Sequence, residues 1–206
     1  MKQENPFGEK YQKYWDRRYN KFSKFDEGIQ TDIEGLYSVG PEDIADKNAR
    51  KTGARTVVDG FCGIGGNTIG FAKHAEHVYA IEIDSQRIEM AKNNLRVYGL
   101  EDKVTFITGD YFQEAPKLQA EAVFIAPPWG GPDYSQKEKF TLEDFSPSGK
   151  EILDLAFKHF EKVVMQIPKN FDLSELNQFG KEYVVENEMY EELVMFKTVY
   201  FFTPAE

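Results

Sequence analysis

Short apolar runs and amphipathic segments alternate along the chain from residue 55 onward. The apolar runs end at Gly, Pro or acidic residues and predict buried strands, whereas apolar residues three and four positions apart predict helices. We expect strands at 56–58, 77–81, 104–107, 122–125, 163–167, 183–189 and 196–202. We expect helices at 67–75, 85–98, 148–160 and 172–179. This alternation predicts an α/β fold with a mostly parallel sheet, closed by its last two strands as an antiparallel pair.

The first 54 residues follow a different pattern. Residues 8–24 carry an apolar stripe of helical period, which predicts one helix packed on the body through Tyr11, Trp15, Arg18, Tyr19 and Phe22. The other basic residues of this helix are expected to face water: Lys13, Arg17, Lys21 and Lys24. Residues 25–54 predict turns and one small helix with Pro41 in its first turn. We therefore expect residues 1–54 to form a helical extension or lid that packs on a main domain of residues 55–206.

Charge is distributed unevenly along the chain. The 206 residues carry a net charge of −10, but residues 1–24 carry +4. A basic segment on an acidic body suits a few phosphates and not a long duplex, whose binding needs many phosphate contacts. If the partner is a nucleic acid, this balance favours a small or terminal target.

Cysteine and histidine usage narrows the chemistry of any site. The single cysteine, Cys62, leaves no internal disulfide and fits a reducing, intracellular compartment. Three histidines and one cysteine without ligand spacing predict no metal site. No apolar stretch is long enough for a membrane span, and the N-terminus lacks the apolar core of a signal peptide, so we expect no membrane association.

A glycine-rich loop, residues 59–67, joins the first predicted strand to the helix that follows it. Glycines allow a sharp turn and a close approach of a ligand to the backbone. The dinucleotide pattern G-x-G-x-x-G is not met, because Thr68 stands in the place of its third glycine. The carboxylate of Asp59, at the end of the strand, suits a cation such as an ammonium or sulfonium group better than a pyrophosphate.

Acidic residues also end the next two predicted strands. Glu82 ends the second strand, where a carboxylate can accept hydrogen bonds from both hydroxyls of a ribose. Asp84 is an alternative for this role, although it also suits the N-cap of the following helix. Asp110 ends the third strand and can accept a hydrogen bond from an adenine amino group. Since the carboxyl ends of parallel strands open on one crevice, these acids and Asp59 predict a site for S-adenosylmethionine.

The fourth strand stops at the segment Ala126-Pro127-Pro128-Trp129-Gly130-Gly131. Neither proline can donate to a strand ladder, so the last carbonyl groups of the strand are left without partners. Two interpretations remain open here. The segment can be a turn with Trp129 packed on the core, or the carbonyls beside Trp129 can hold a planar ring that carries an amino group. The next residues, 132–147, predict a polar loop long enough to be functional.

Several strings in the sequence resemble known methyltransferases. Residues 59–66 are similar to the cofactor loop of class I methyltransferases, and residues 126–129 to the motif of those that methylate base amino groups. Longer strings resemble the catalytic domain of the trimethylguanosine synthase family: 13–15, 22–29, 57–63, 65–68 and 127–134. That family adds methyl groups to the 2-amino group of a 7-methylguanosine RNA cap. The resemblance implies a class I, Rossmann-like fold with a seven-stranded sheet and an N-terminal helical extension.

The resemblance also implies roles for individual residues. Those expected at the cofactor are Asp59, Phe61, Gly63, Gly65, Glu82, Ile83 and Asp110. Those expected near the cap phosphates are Lys13, Ser38, Asn67 and Lys169. Trp129 would stack on the cationic 7-methylguanine, and the carbonyl of Pro127 would accept a hydrogen of its amino group. Asp59, Pro127 and Trp129 are therefore the expected catalytic residues, and no general base is assigned.

The chain departs from the family pattern at three positions. Ala126 stands where the family usually has Ser, which removes a hydroxyl near the amino group. Lys169 stands where it usually has Arg, which loses bidentate phosphate geometry. Gly40 stands where it usually has Thr. The first departure bears on rate and on the number of methyl groups added, and the others bear on phosphate affinity.

We therefore expect an S-adenosylmethionine-dependent RNA cap guanosine-N2 methyltransferase that works without a metal, as a monomer, in the nucleus, with the cytoplasm as the alternative location. Its products would be 2,7-dimethylguanosine caps and, after a second transfer, 2,2,7-trimethylguanosine caps. One alternative is a class I amino-methyltransferase for another base in ribosomal RNA or DNA. A second is a cap-binding module with weak catalysis, for which Ala126 argues. A hydride-transferring Rossmann protein is disfavoured by Thr68 and Asp59.

Overall fold

The computed structural model describes residues 4–131 and 137–205. Residues 132–136, which contain the end of the family-like string and the start of the predicted polar loop, lie outside the described residues. Seven strands form one sheet in the order β3-β2-β1-β4-β5-β7-β6. Their bounds are β1 Thr56–Asp59, β2 His77–Glu82, β3 Val104–Thr108, β4 Ala122–Ile125, β5 Lys162–Pro168, β6 Val184–Tyr190 and β7 Leu193–Tyr200. Strands β1 to β5 are parallel, whereas β7 is antiparallel to both β5 and β6. The prediction of a mostly parallel, seven-stranded sheet is confirmed.

Helices flank the sheet and complete a Rossmann-like arrangement. The α-helices are α1 Gln12–Asp16, α2 Arg18–Lys21, α3 Ile33–Ser38, α4 Glu42–Thr52, α5 Gly66–His74, α6 Ser85–Tyr98, α7 Tyr111–Glu114 and α8 Gly149–His159. The residues predicted as a helix at 172–179 form a 3₁₀-helix, Leu173–Phe179. No helix in the described part of the chain is long and apolar enough to cross a membrane.

Two apolar clusters hold the layers together, one on each face of the sheet. Successive strand residues point to opposite faces. Val57 of β1 therefore packs in one cluster with Ile69 of α5, whereas its neighbour Val58 packs in the other with Ile152 of α8. The side chains of Val57, Val58 and Ile152 are buried. Burial of each such aliphatic side chain contributes roughly 1.5–3 kcal/mol to the free energy of folding.

The N-terminal segment departs from the single helix predicted at 8–24. It consists of a 3₁₀-helix, Glu9–Tyr11, followed by α1 and α2, with a break at Arg17 (φ −94°, ψ 7°). Most of the apolar stripe packs on the body: Trp15 and Phe22 are buried in the cluster that contains Val57, whereas Tyr19 is 42% exposed. The prediction that Lys21 faces water is wrong: the residue is 7% exposed. The break at Arg17 changes the direction of α2. Lys21 therefore points inward, whereas in one continuous helix it would lie on the polar side.

Residues 25–54 contain two α-helices, α3 and α4, where the sequence predicted one. Pro41 is the N-cap of α4, and Glu42 and Asp43 occupy its first turn. Helix α4 packs closely on α5, because α5 has Gly70 at the crossing. A Cβ atom at Gly70 would lie 2.6 Å from the main-chain carbonyl of Ala45. The N-terminal segment is thus attached to the helix that follows the glycine-rich loop.

Candidate active site

A cavity of about 600 Å³ opens at the carboxyl ends of the parallel strands. This volume lies in the range of small-molecule sites, and the position is where open α/β sheets bind ligands. Most of the residues predicted for the cofactor and the cap share its wall: Ser38, Phe61, Gly63, Asn67, Glu82, Ile83, Asp110, Pro127 and Trp129. Four others lie outside the wall: Lys13, Asp59, Gly65 and Lys169.

The glycine-rich loop is fixed to the two strands that flank β1, namely β4 and β2. The Gly60 amide donates to the carbonyl of Phe124 at 2.9 Å, and the Cys62 amide donates to that of Ile81 at 2.9 Å. Gly63 follows with φ +53°, a left-handed conformation that favours glycine. A Cβ atom at Gly63 would meet no atom within 4 Å. The loop therefore leaves an open cradle beside its own backbone.

Glu82 and Asp84 take different places at the end of β2. The Glu82 carboxylate lines the cavity and accepts hydrogen bonds from the amides of Gly63 and Asp84, both at 3.0 Å. A carboxylate has about four lone-pair sites, so Glu82 retains acceptor capacity toward the cavity. The Asp84 carboxylate caps α6 by accepting from the Gln86 amide at 2.8 Å, and Asp84 is not part of the cavity wall.

Asp59 lies beneath the loop, fully buried. The Thr68 hydroxyl donates to its carboxylate at 2.7 Å. Burial raises the pKa of Asp59 to about 7, although the hydrogen bonds from Thr68 and from the Phe61 backbone act in the opposite direction. A cation bound nearby would favour the charged form of Asp59. Its direct contact with a ligand stays a prediction.

Apolar surfaces border the acidic residues of the cavity. The side chain of Ile83 is 72% exposed beside Glu82. The rings of Phe61 and Tyr111 lie with centroids 5.1 Å apart. Asp110, at the end of β3, lines the same cavity and also caps α7 through the Phe112 amide at 2.9 Å. Apolar faces beside carboxylate acceptors fit the adenosine part of S-adenosylmethionine, which combines a flat ring with hydroxyl and amino donors.

The end of β4 forms the opposite part of the wall. Among the described residues, no main-chain amide donates to the carbonyl oxygens of Ala126 and Pro127. Trp129 is half-buried, with its ring centroid 6.2 Å from that of Phe196. Residues Ala126 and Pro127 and the indole of Trp129 therefore line the same cavity as the glycine-rich loop. Within residues 4–131 and 137–205, no three His, Cys, Asp or Glu side chains lie close enough to hold a metal ion.

Comparison with known proteins assigns this arrangement to a family. A sequence model of the RNA cap guanine-N2 methyltransferases matches residues 54–200, which include the whole sheet and the acidic strand ends. The chain belongs to this family. The match begins just before β1, so the N-terminal helices α1 to α4 lie outside it.

Relatives support the assignment over a longer stretch. The chain is 41% identical over 189 residues to trimethylguanosine synthase of Schizosaccharomyces pombe, which covers 85% of this chain and 77% of that protein. It is 34% identical over 179 residues to trimethylguanosine synthase of Saccharomyces cerevisiae, covering 81% of this chain and 57% of that protein.

Solved structures with low sequence identity share the fold. A protein of Porphyromonas gingivalis W83 classed as a methyltransferase has a TM-score of 0.70 at 15% identity, covering 97% of this chain and 52% of its own. A methyltransferase of Geobacter sulfurreducens has a TM-score of 0.55 at 14% identity, covering 95% of this chain and 92% of its own. The class I methyltransferase fold predicted from the sequence is confirmed.

In this cap guanine-N2 methyltransferase the N-terminal segment supplies part of the cavity wall. Tyr14 of α1, Lys21 of α2 and Ser38 of α3 line the cavity, as does Arg17 between the first two helices. Lys13 is exposed just outside, with its ammonium 4.8 Å from the ring centroid of Tyr14. Lys169 is also exposed, after the end of β5. The two lysines predicted near phosphates are therefore placed in solvent and not on the wall.

Several wall residues of this methyltransferase were not predicted: Tyr14, Arg17, Lys21, Gln166, Tyr190 and Phe196. Most of them carry no sequence signal, because aromatic and basic residues are common on amphipathic helices and at strand ends. Gln166 is different. It is the one polar residue within the apolar run 163–167, and a polar side chain in a buried strand needs a partner.

Proposed function

We propose that the protein transfers a methyl group from S-adenosylmethionine to the exocyclic 2-amino group of a 7-methylguanosine RNA 5′ cap. One observation carries the proposal. A single cavity contains the glycine-rich loop, the acidic ends of β2 and β3, and the Pro-Pro-Trp end of β4. A methyl donor and a planar amine can therefore occupy adjacent parts of one site.

The first half of the cavity is proposed to hold the cofactor. Glu82 would accept from the ribose hydroxyls, Asp110 from the adenine amino group, and Ile83 and Phe61 would cover the ring. The Gly63 backbone would approach the ligand closely, since its position leaves open space. Gly65 and Asp59 would act from behind the loop, Asp59 by its negative charge. When bound, S-adenosylmethionine supplies an activated methyl group on a sulfonium.

The second half is proposed to orient the acceptor base. Trp129 would stack on 7-methylguanine, whose positive charge is attracted to an indole face. The carbonyl of Pro127 would accept one hydrogen of the 2-amino group and offset positive charge that develops on nitrogen during transfer. This positioning is the main contribution of the protein, because alignment of the two reactants lowers the barrier.

The cap phosphates would leave the cavity past the N-terminal segment. Ser38 and Asn67 line that side of the cavity, and Asn67 stands in the first turn of α5, where amides favour an anion. Lys13 and Lys169, both exposed, would contribute charge at the mouth. We propose further that the enzyme acts as a monomer in the nucleus, and that a second transfer gives the trimethylated cap.

Mass spectrometry of a 7-methylguanosine cap dinucleotide incubated with S-adenosylmethionine tests the proposal. We expect a gain of one or two methyl groups and no gain with the unmethylated cap dinucleotide. Trp129→Ala should abolish most of the turnover, whereas Trp129→Phe should retain part of it because the stacking face remains. Methylation of both dinucleotides alike would favour another base as substrate. Binding without transfer would favour the cap-binding module that Ala126 suggests.

A further inference from the structure

Gln166 is a buried polar side chain that faces the active-site cavity. It lies in the middle of β5 and is 6% exposed. Its Nε2 atom is buried and has no hydrogen-bond partner among residues 4–131 and 137–205. Gln166 is also one of the residues that line the cavity. A buried amide without a partner destabilises a folded protein, so this group is in place for a ligand.

The neighbours of Gln166 explain why no group in the described part of the chain satisfies its Nε2 atom. Strand β7 pairs Thr198 directly with Gln166, so both side chains lie on one face of the sheet. The Thr198 hydroxyl donates instead to the carboxylate of Glu188 at 2.7 Å. Glu188 is itself buried and paired with Lys47 at 2.5 Å. The polar side chain opposite Gln166 on β7 is therefore engaged in another network.

The other neighbour is Ala126, at the first position of the Pro-Pro-Trp segment. Strands β4 and β5 are parallel and pair Ile125 with Met165. Ala126 directly follows Ile125 and Gln166 directly follows Met165, and both line the cavity. The position that lacks the hydroxyl usual in the family thus shares the cavity wall with a carboxamide.

We infer that the Gln166 carboxamide binds the edge of the acceptor guanine that carries the 2-amino group and N3, and takes over the contact that a serine at position 126 would make. This edge presents a donor next to an acceptor, and a carboxamide presents the complementary acceptor and donor. Gln166 is then a specificity-determining residue for the amino group. The inference rests on the proposed function.

Calorimetry with two ligands tests the contact. The protein is saturated with S-adenosylhomocysteine and titrated with 7-methylguanosine triphosphate or with 7-methylinosine triphosphate, which lacks only the 2-amino group. We expect Gln166→Leu to raise the Kd of the guanosine ligand about tenfold and that of the inosine ligand much less, because the lost hydrogen bonds include one to the amino group. An unchanged ratio of the two Kd values would overturn the inference.

Stability and rescue separate this role from a structural one. Without ligands, Gln166→Leu should raise the melting temperature, since an unpaired buried amide is replaced by an apolar group. A lower melting temperature, or failure of both Gln166→Leu and Gln166→Met to fold, would contradict the finding that the Gln166 amide lacks a hydrogen-bond partner in the protein without ligands. The double variant Ala126→Ser/Gln166→Leu should regain part of the preference for the guanosine ligand that Gln166→Leu alone loses. If it regains none, Gln166 does not replace a serine at position 126. A wild-type protein that binds neither ligand would refute the proposed function itself.

Discussion

At the residue scale, Lys21 shows how tertiary packing changes the chemistry of one side chain. It is buried on the cavity wall, where its ammonium donates to the carbonyl of Val39. Burial, and to a lesser extent the positive charge of Arg17, lowers the pKa of Lys21 to about 7. The helical period alone places this residue on a polar face. Only the break between α1 and α2 brings it inside.

Lys21→Met should remove a pH-dependence of stability. The unfolded chain holds the Lys21 proton up to its ordinary pKa of 10.5, whereas the folded state loses it near pH 7. Between these values the unfolded state binds more protons, so the free energy of unfolding rises with pH, by up to about 1.4 kcal/mol per unit. Urea unfolding at pH 7, 8 and 9 measures this slope, which Lys21→Met should reduce. Lys10→Met, at an exposed position, should keep it; equal slopes in both variants would contradict the burial effect.

At the scale of elements, the turn from β2 into α6 separates two carboxylates that the sequence left as alternatives. Asp84 caps the helix, and Glu82 bridges the glycine-rich loop and faces the cavity. Glu82 ends β2 and Asp84 directly precedes α6, so the sequence already favours Asp84 as the helix cap and Glu82 as the residue at the cofactor. The direction of each side chain depends on where the loop after β1 lies.

Substitutions at Asp84 and Glu82 should have separate effects, one on the stability of the protein and the other on its affinity for the cofactor. Asp84→Ala should lower the free energy of unfolding by about 1 kcal/mol through loss of the N-cap, with the affinity for S-adenosylhomocysteine unchanged. Glu82→Gln should weaken that affinity about tenfold, because a ribose hydroxyl loses a charged acceptor. Thermal unfolding and calorimetry of the two variants measure both effects. A cofactor defect in Asp84→Ala alone would reverse the assignment.

Element prediction succeeded where local signals are strong. The strands β1 to β5 are short apolar runs bounded by turn residues, and their observed bounds differ from prediction by about one residue. It failed in the N-terminal segment, because a single amphipathic period runs through residues 8–24 and gives no sign of the break at Arg17. It also failed between residues 25 and 54, because α3 has too few residues to show a period. Short helices depend on packing more than on their own sequence.

At the scale of the whole molecule, the charge pattern limits how RNA can bind. The net charge is −10, while the basic N-terminal segment borders the cavity through Arg17 and, just outside, Lys13. We therefore expect binding energy from phosphates to be concentrated at this mouth of the cavity. We expect the remaining acidic surface to repel a longer RNA chain.

The salt dependence of cap binding should be shallow. Plotted as log affinity against log salt, 7-methylguanosine triphosphate should give a slope of about −1 to −3, because only a few phosphates are contacted. Lys13→Ala should make the slope shallower by about one, and Lys158→Ala, on the exposed side of α8, should not change it. Fluorescence titration at several salt concentrations measures the slopes. A slope near that of duplex-binding proteins would contradict a cap-only footprint.

The sequence by itself determined the layered α/β fold, the glycine-rich loop, the acids at the strand ends and the Pro-Pro-Trp segment, because each is a local pattern of burial or backbone conformation. Tertiary structure alone decided which of these groups share a wall. It buried Lys21 and left Asp59 beneath the loop, outside the cavity wall. It also brought Gln166 and Ala126 to one cavity wall, since contacts between strands distant in sequence follow from the register of the sheet and from no local pattern.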